Sequence, residues 1–434
     1  MIEFKVSDFV SPGKLLYWRC KLWRSQYYDE GQLKAMQWRL LSSMLNHCFE
    51  KVPFYRKLFN QLGLKRSHFN SLEDLSKIPV LDKFVLQDRS DEFRALDFQK
   101  YKPRAIDTSG TTGTPLRVYW DLDSNILELT CQWRHFSWAG YKLGDSFLDF
   151  RSRIWEKPSL FFWNRQCRGL EICSDLVDES NIHTVAGLLR KYRVKLWRGH
   201  PSAIHDLCRL LDDADIQDVK PRYISTAAEA VLNHHREFIE TWSRVPVCDS
   251  YGLREHNALI CQCPEGGYHI ASEYGIIEIL REDGTPAQPG EEGRIVATGL
   301  HNRAFPLLRY DTRDYGVVSD KQCSCSIKLP LVEKITGRID DRIKDASGKW
   351  VSGLSFAFFS VQGVRMAQLI QEKKGALDVY LVPGSTFNQE TGKGVLRELR
   401  RKVGREMDLR LHVVREVPHR KGGKFKFVIR KSGV

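Results

Sequence analysis

The sequence predicts an α/β fold, and two observations carry that prediction. Strand-like and helix-like segments alternate from Thr108 to about Val318, which is typical of right-handed βαβ units around a mostly parallel sheet flanked by helices. The chain has 434 residues, of which 42% are hydrophobic and 28% are charged, so it is long enough for two or three globular domains. We therefore expect a large α/β domain to occupy the middle of the chain.

The elements of this alternation follow one another between residues 188 and 249. In chain order we predict a helix that ends over Leu188–Arg193, a strand over Val194–Trp197, a helix over Pro201–Leu211, a strand over Arg222–Thr226, a helix over Glu229–Trp242 and a strand over Val245–Asp249. Ligands of such sheets bind beyond the carboxyl ends of the strands, where the loops Thr226–Glu229 and Ser250–Glu255 are expected.

The first 60 residues combine aromatic and basic side chains. Apolar residues recur at helical spacing between Gln32 and Phe49, and this predicts an amphipathic helix. We expect this region to pack onto the main domain, with a peripheral membrane contact as the alternative.

Composition also bears on the compartment. No run of eighteen apolar residues could span a membrane, and the residues from Met1 to Phe9 do not resemble a secretory signal. Eleven cysteines, an odd number, are expected to be reduced thiols that are buried or bind metal. We therefore expect a cytoplasmic protein. Nothing in the sequence separates a monomer from a homodimer.

The last 44 residues are strongly basic. From Thr391 to Val434 there are 14 Lys or Arg residues and 4 Asp or Glu residues, within a chain of net charge +13. Such a segment favours polyanions such as a nucleotide, the phosphates of CoA, nucleic acid or an anionic membrane. A solvated basic face is the alternative.

A loop rich in glycine and hydroxyl residues lies between two strand-like runs, over Asp107–Leu116. Glycine allows close approach of the backbone, and several N–H and hydroxyl groups can then point at one anion. The loop lacks the Gly-Lys-Ser/Thr ending of a P-loop, and a polar hairpin loop is the alternative. Its candidate phosphate-binding residues are Ser109, Gly110, Thr111, Thr112 and Gly113.

The order Thr-Ser-Gly-Thr-Thr-Gly-Thr-Pro in this loop resembles the phosphate loop of the adenylate-forming superfamily, which includes acyl-CoA synthetases, peptide-synthetase adenylation domains and luciferases. The resemblance implies that Thr111 takes part in catalysis. Thr226–Ala230 resembles the turn that contacts adenine in that family, so Ala228 and Glu229 are expected to bind the nucleotide.

Two further segments extend the resemblance. Ser250–Glu255 resembles the Tyr-Gly-x-x-Glu segment, which implies that Tyr251 and Gly252 lie by the adenine and that Glu255 serves Mg²⁺ and ATP. Arg309–Asp314 resembles the Arg-Tyr-x-Thr-Gly-Asp segment, whose last residue, here Asp314, holds the ribose hydroxyls. Arg313 stands where many members have glycine, a variant that we associate with the phenylacetate–CoA ligase branch.

The C-terminal motifs imply a second domain. Gly337–Lys344 resembles the hinge segment of the family, with Arg338 as a nucleotide-binding residue and Asp340 as the pivot. This predicts a large domain over residues 1–339, with a helical lead-in over 1–90, and a small mobile α+β domain over 340–434. His419–Phe425 resembles the segment whose lysine, here Lys424, meets the reacting carboxylate and the α-phosphate. Gly422 and Gly423 replace the usual Ser-Gly, so Lys421 is an alternative for this role.

The cysteines suggest a metal site. Cys261-x-Cys263 and His269 are followed by Cys323-x-Cys325, and soft thiolates with one imidazole are ligands of tetrahedral structural zinc. Small buried residues are the alternative. A similar pattern occurs in capsule-biosynthesis ligases that resemble phenylacetate–CoA ligase, and by that resemblance Cys263, His269, Cys323 and Cys325 are the chosen ligands. The site would close an insertion over residues 261–325, and Cys261 remains an alternative ligand.

Together these motifs predict an AMP-forming ligase. ATP and a small-molecule carboxylate would give an acyl-adenylate with release of pyrophosphate, and the acyl group would then pass to the thiol of CoA. Transfer to an amine in polysaccharide biosynthesis is an alternative, and a non-enzymatic polyanion-binding protein is an alternative of another class. Nucleic acid is not expected as a partner. The carboxylate is open, and the candidate wall residues of its pocket, each also typical of a core, are Trp133, His135, Trp155 and His200.

Overall fold

The computed structural model describes residues 12–107, 117–151, 159–338, 343–348, 350–351, 354, 357, 361, 364–384, 387–417 and 427–431. Within them the α-helices are α1 (Pro12–Ser25), α2 (Glu30–Lys51), α3 (Pro53–Gln61), α4 (Lys83–Asp88), α5 (Leu122–Trp138), α6 (Ile182–Lys191), α7 (Pro201–Asp213), α8 (Asn233–Ser243) and α9 (Gln389–Val403). No helix in this part of the chain is long and apolar enough to cross a bilayer.

The strands in the same described ranges are β1 (Arg104–Asp107), β2 (Arg117–Trp120), β3 (Phe147–Arg151), β4 (Phe161–Asn164), β5 (Gly169–Cys173), β6 (Leu196–Gly199), β7 (Tyr223–Ala227), β8 (Val247–Gly252), β9 (Leu259–Gln262), β10 (Tyr268–Ile270), β11 (Gly275–Leu280), β12 (Glu292–Gly299), β13 (Tyr310–Val318), β14 (Leu331–Arg338), β15 (Ile343–Lys344), β16 (Trp350–Val351), β17 (Val364–Gln371), β18 (Ala376–Pro383), β19 (Asp408–Val413) and β20 (Val428–Arg430).

The chain divides into two compact units. The first contains Met1–Leu143 and Ser250–Ile335, and the second contains Gly144–Asp249 and Thr336–Val434.

The predicted amphipathic helix near the N-terminus is confirmed as α2. It begins with a capping box in which the Asp29 side chain accepts from the Gln32 backbone and the Gln32 side chain accepts from the Asp29 backbone. Its apolar face, which includes Leu41 and Met44, is buried in a cluster shared with residues of the first unit such as Phe305. The lead-in therefore packs onto the first unit, as expected.

The first unit is built from antiparallel strands. Its strand order is β11-β12-β13-β14-β10-β9, and β9 pairs with residues 250–252 at the end of β8. The pairs β11–β12, β12–β13, β9–β10 and β10–β14 are all antiparallel. Short connections such as the one from β9 to β10 allow only this direction, because parallel neighbours need a long crossover. The separate pair β1–β2, on either side of the Gly/Thr loop, is also antiparallel.

The second unit contains the predicted parallel strands. The order is β7-β6-β3-β5-β4, and β3 pairs in parallel with β5 and β6, as β6 does with β7. All residues of β6 are buried, as expected for a strand covered on both faces. Helices α6, α7 and α8 contribute apolar residues, including Leu189, Leu207 and Ile239, to the core around these strands.

The C-terminal part of the second unit has its own core and is α+β, as predicted. Its four strands have the order β19-β18-β17-β20. At the start of α9 the Asn388 side chain accepts a hydrogen bond from the Thr391 backbone N–H. Leu369, Val379 and Leu399 are among the buried residues of this core. The fold class predicted from the sequence, an α/β chain with a smaller α+β region at its C-terminus, is confirmed.

A buried ion pair joins separate elements of the first unit. The Arg134 guanidinium in α5 donates to the Glu273 carboxylate at 2.6 and 3.3 Å, and both side chains are almost fully buried. The Ser25 hydroxyl at the end of α1 donates to the same carboxylate at 2.5 Å. Arg134 also donates to the backbone carbonyl of Leu22. The N-terminal helix is thus fixed to the interior by charged hydrogen bonds.

Candidate functional site

The predicted site residues divide into those that the structure describes and those that lie outside the described residues. Outside are Ser109, Gly110, Thr111, Thr112, Gly113, Asp340, Lys424, its alternative Lys421, and Trp155. The first unit contains the four metal-ligand candidates and Tyr251, Gly252, Glu255 and Asp314. The second unit contains Ala228, Glu229 and Arg338, which is the last residue of β14.

Tyr251, near the end of β8, and Asp314, in the middle of β13, come together. The Tyr251 hydroxyl donates to an Asp314 carboxylate oxygen at 2.7 Å, although the residues are 63 positions apart. Asp314 is buried, while Tyr251 is half-buried and Gly252 is exposed. The backbone N–H of Asp314 donates to the Thr312 hydroxyl at 3.1 Å, which fixes the strand beside the carboxylate. The two predicted nucleotide-binding side chains thus form one polar group at a partly open surface.

Glu255 and Tyr310 form a second pair between the same two segments. The Tyr310 hydroxyl donates to the Glu255 carboxylate at 3.2 Å. Burial raises the pKa of the Tyr310 phenol well above its usual range, so the phenol stays a proton donor. Glu255 is only half-buried. A carboxylate oriented by a neutral donor and open to one side is a suitable oxygen ligand for Mg²⁺.

The segment before Asp314 adopts unusual backbone angles. Arg309 has φ of 48° and Arg313 has φ of 62°, both in the left-handed region that favours glycine. The Arg309 guanidinium donates to the Glu278 carboxylate at 3.0 and 2.9 Å and to the Ile78 carbonyl at 2.6 Å. Many members of the resembled family have glycine at the position of Arg313. The backbone at Arg313 thus has the conformation that glycine favours.

An aromatic contact that no sequence motif indicated lies next to Glu255. The rings of Trp120, at the end of β2, and His256 stack with centroids 3.9 Å apart at 16°. Trp120 Nε1 also donates to the Arg254 carbonyl at 2.5 Å. Burial lowers the pKa of His256 to about 3, and its φ is 54°. Residues 120 and 256 are too far apart for any local pattern to indicate this contact, although the His follows the predicted Glu directly.

The turn with Ala228 and Glu229 lies in the second unit. Ala228 has φ of 72°, and the Glu229 carboxylate accepts from the Ser202 hydroxyl at 2.7 Å and contacts His200 Nδ1 at 3.0 Å. The helix that was predicted to begin at Glu229 begins instead at Asn233, so that prediction was wrong by four residues. A left-handed residue cannot continue into a right-handed helix, and the Glu229 side chain is held by the helix before it.

The four predicted metal ligands lie together. The ligand atoms of Cys263, His269, Cys323 and Cys325 are all within 4.8 Å of one another. The Sγ atoms of Cys263 and Cys323 are 3.5 Å apart, and Cys325 Sγ is 3.3 Å from His269 Nε2. A tetrahedral site with Zn–S bonds of about 2.3 Å places its ligand atoms about 3.8 Å apart. The donor set and its spacing therefore fit zinc.

Local contacts orient these ligands. His269 Nδ1 lies 3.1 Å from the Leu329 carbonyl, so a proton on that nitrogen leaves Nε2 as the donor atom towards the cysteines. Burial lowers the pKa of His269 and raises the pKa of Cys263 to about 12. A Cβ atom at Gly267 would lie 2.7 Å from Cys323 Sγ, so this position requires glycine. A metal that gathers thiolates would offset the cost of burying the Cys263 thiolate.

Three further candidates from the sequence lie outside this group of ligands. Cys261 is buried in an apolar cluster with Ile126 and Leu127, and it is not part of the group of four ligand atoms. His135 is buried, its Nε2 lies 2.9 Å from the Gln262 carbonyl, and burial lowers its pKa to about 4. Trp133 lies in α5 and is half-buried.

This chain is similar to several known proteins. Residues 343–431 match the family described as the CapK C-terminal domain. A phenylacetate–coenzyme A ligase of Thermus thermophilus is 25% identical to this chain over 404 residues, which cover 89% of this chain and 88% of that protein. The chain is thus similar to phenylacetate–CoA ligases over most of its length, and its C-terminal part is similar to CapK. The resemblance deduced from the motifs is thereby confirmed.

Two further comparisons cover nearly the whole chain. Protein CapK of Staphylococcus aureus is 22% identical, with coverage of 93% of this chain and 92% of that protein. A crystal structure of 2-hydroxyisobutyryl-CoA ligase in the postadenylation state, in complex with R3-HIB-AMP, superposes with a TM-score of 0.74 at 16% identity and covers 93% of this chain and 91% of that one. At 16% sequence identity, this structural similarity establishes the fold alone.

Proposed function

We propose that this protein is an AMP-forming carboxylate ligase that makes an acyl-adenylate and passes the acyl group to the thiol of CoA. One observation carries the proposal: Tyr251–Asp314 and Tyr310–Glu255 are hydrogen-bonded pairs between the two segments that resemble nucleotide-binding motifs. The names of the relatives, phenylacetate–coenzyme A ligase among them, support the same reaction class.

Each residue has a role in this mechanism. Asp314 binds the ribose hydroxyls with a carboxylate that Tyr251 already orients, and the Tyr251 ring lies by the adenine. Residues 109–113, outside the described part of the chain, contact the phosphates. Glu255 would hold Mg²⁺, which when bound offsets phosphate charge.

Two steps follow in order. A substrate carboxylate oxygen attacks the α-phosphorus, the bond to the β-phosphate oxygen breaks, and pyrophosphate leaves. Lys424 offsets negative charge on the α-phosphate oxygens in the transition state. The thiol of CoA then loses its proton and attacks the acyl carbonyl, and AMP leaves. Rotation about the hinge at Asp340 would exchange the two active arrangements.

The experiment is ATP–pyrophosphate exchange with a panel of aromatic, fatty, amino and uronic acids. Exchange that depends on one acid class establishes adenylate formation and identifies the substrate class. No exchange with any acid, from folded protein that binds ATP, would contradict the proposal. The same result would favour the alternative of a protein that only binds polyanions.

Transfer to an amine is a second candidate, because residues 343–431 match the CapK C-terminal domain and not only the general ligase fold. The two acceptors differ in their product, since CoA gives a thioester and an amine gives an amide. Incubation of enzyme and preformed acyl-AMP with CoA or with amino sugars and amino acids, followed by mass spectrometry, separates these outcomes.

We also propose that Cys263, His269, Cys323 and Cys325 bind a structural zinc ion. Four protein ligands leave no position for substrate. His269 lies in β10, whereas Cys263 lies in the loop between β9 and β10, and Cys323 and Cys325 lie in the loop between β13 and β14. The metal would hold these two loops together.

A further inference from the structure

Helix α1 has two faces that are both rich in apolar residues. Its inward face, which includes Trp18 and Leu22, is buried with residues of α5 and β9. On its outward face Leu16 is 59% exposed, Tyr17 57% and Trp23 40%. Packing among the residues that the structure describes does not explain side chains of this size on the outside of a helix.

The outward residues follow helical periodicity. Leu16, Cys20 and Trp23 have spacings of four and three residues, which places them along one side of the helix. Tyr27, 48% exposed, continues this line in the turn after α1. The following helix, α2, differs, because its exposed residues are charged, polar or small: Glu30, Gly31, Gln32, Lys34, Ala35, Arg39, Ser43, Asn46 and Glu50.

The charge on α1 has one sign. The helix contains Lys14, Arg19, Lys21 and Arg24 and no acidic residue. Lys14 pairs with Asp123, whereas the Arg19 guanidinium lies over the Trp23 ring and the Lys21 ammonium over the Trp18 ring. Arg19 and Arg24 are exposed on either side of the apolar line.

The two acidic groups that directly follow α1 in the chain are already engaged. The Asp29 carboxylate accepts from the Gln32 backbone, and Glu30 pairs with Lys34 at 2.7 Å. Arg19 and Arg24 therefore present positive charge outward, whereas Lys14 is paired with Asp123.

We propose that the outward face of α1, formed by Leu16, Tyr17, Arg19, Cys20, Trp23 and Arg24, attaches the protein to an anionic phospholipid surface. Tryptophan, tyrosine and leucine flanked by arginine suit the boundary between headgroups and acyl chains, and the positive charge complements anionic headgroups. The hydrogen bonds of Ser25 and Arg134 hold the helix in place, so the face is formed before it meets the lipid. Because α1 is short, the attachment is weak, reversible and sensitive to salt.

The test is co-sedimentation of the full chain with vesicles of phosphatidylglycerol and phosphatidylcholine in equal amounts, and with vesicles of phosphatidylcholine alone. We expect binding to the anionic vesicles that falls at 0.5 M salt, and little binding to the neutral ones. Leu16→Ser with Trp23→Ser, and separately Arg19→Gln with Arg24→Gln, should each lower the partition coefficient about fivefold or more.

A charge-matched control distinguishes a specific face from the general attraction of a basic chain. Arg39→Gln with Lys100→Gln removes two exposed cations outside α1 and should leave binding nearly unchanged. Circular dichroism and the thermal midpoint verify that each variant is folded.

Three results would overturn the proposal. One is the absence of binding by the wild-type chain. Another is equal weakening by the α1 variants and by the control pair, which would assign the attraction to net charge. The third is wild-type self-association that Trp23→Ser abolishes without any effect on vesicle binding, because the face would then be a protein interface. None of these results depends on ligase activity, so they are separate from the test of the proposed reaction.

Discussion

The cysteine–histidine cluster and the Tyr251–Asp314 region lie in the same unit, but their polar groups are held differently. In the cluster, sulfur atoms contact one another or an imidazole at 3.3–3.5 Å, and thiols are weak hydrogen-bonding groups. In the Tyr251–Asp314 region, phenol hydroxyls donate to carboxylates at 2.7 and 3.2 Å.

This difference indicates that the two regions contribute to different properties of the protein. Charge-assisted hydrogen bonds hold the Tyr251–Asp314 region in place without a ligand, whereas thiol groups are stabilised mainly when they bind a metal ion. Under the proposed function, damage to the cluster should therefore appear as lost stability, and damage to the Tyr251–Asp314 region as lost catalysis.

The largest effect is expected for Cys323→Ser. The variant should lose about one zinc per chain and its thermal midpoint should fall, because a metal present at a thousandfold excess over its Kd stabilises the native state by about 4 kcal/mol. That corresponds to roughly ten degrees for a unit of this size. Elemental analysis and calorimetry measure both quantities. Cys261→Ala, outside the ligand group, should keep the metal, and purified wild-type protein without zinc would end the proposal.

Lys424→Ala should slow adenylation on the order of a hundredfold, because it removes the cation that offsets transition-state charge. The thermal midpoint should stay close to that of the wild type. Supplied with chemically prepared acyl-AMP, the variant should still transfer the acyl group at nearly the wild-type rate. Lys421→Ala is the matched control and should leave both steps largely intact. Equal loss in both steps would mean that a single fixed site serves both.

Asp314→Ala should raise the KM for ATP roughly thirtyfold, since lost hydrogen bonds to a charged group cost about 2 kcal/mol. The change in kcat should be smaller, because the ribose contact is the same in the ground and transition states. Tyr251→Phe keeps the ring and removes only the donor to Asp314, so its effect should be weaker. Unchanged affinity for ATP in Asp314→Ala would exclude the assigned role.

The smallest effect is expected at Trp120, which stacks on His256 beside Glu255. Trp120→Leu removes the stack and the hydrogen bond to Arg254, and should lower kcat/KM for ATP about fivefold, in line with an aromatic pair of about 1 kcal/mol. Trp120→Phe keeps the stack and should recover most of the loss. A fall in thermal midpoint with unchanged kinetics would instead assign the pair to stability alone.

The sequence predicted those parts of the molecule that have local signals. Periodicity identified α2 and the βαβ alternation between residues 188 and 249, because apolar faces repeat within single elements. The spacing of the cysteines, together with the resemblance, identified four residues whose ligand atoms are close in space.

The sequence did not predict features that depend on contacts between distant segments. The start of α8 was misplaced because Ala228 is left-handed and the Glu229 side chain contacts Ser202 and His200 at the start of another helix. The antiparallel arrangement of the first unit and the Trp120–His256 stack depend on pairing between distant segments. Periodicity within one segment does not report such partners.

The buried pair Arg134–Glu273 restricts how this chain can change over evolutionary time. Loss of either residue alone would leave an uncompensated charge in the interior, at a cost of about 3–5 kcal/mol, whereas joint replacement by apolar residues of similar volume can be neutral. Ser25 shares the same carboxylate, so a change at residue 273 also affects the attachment of the first helix. Homologous chains should therefore either retain positions 134 and 273 as an ion pair or have exchanged both, and intermediates with only one charge should be rare.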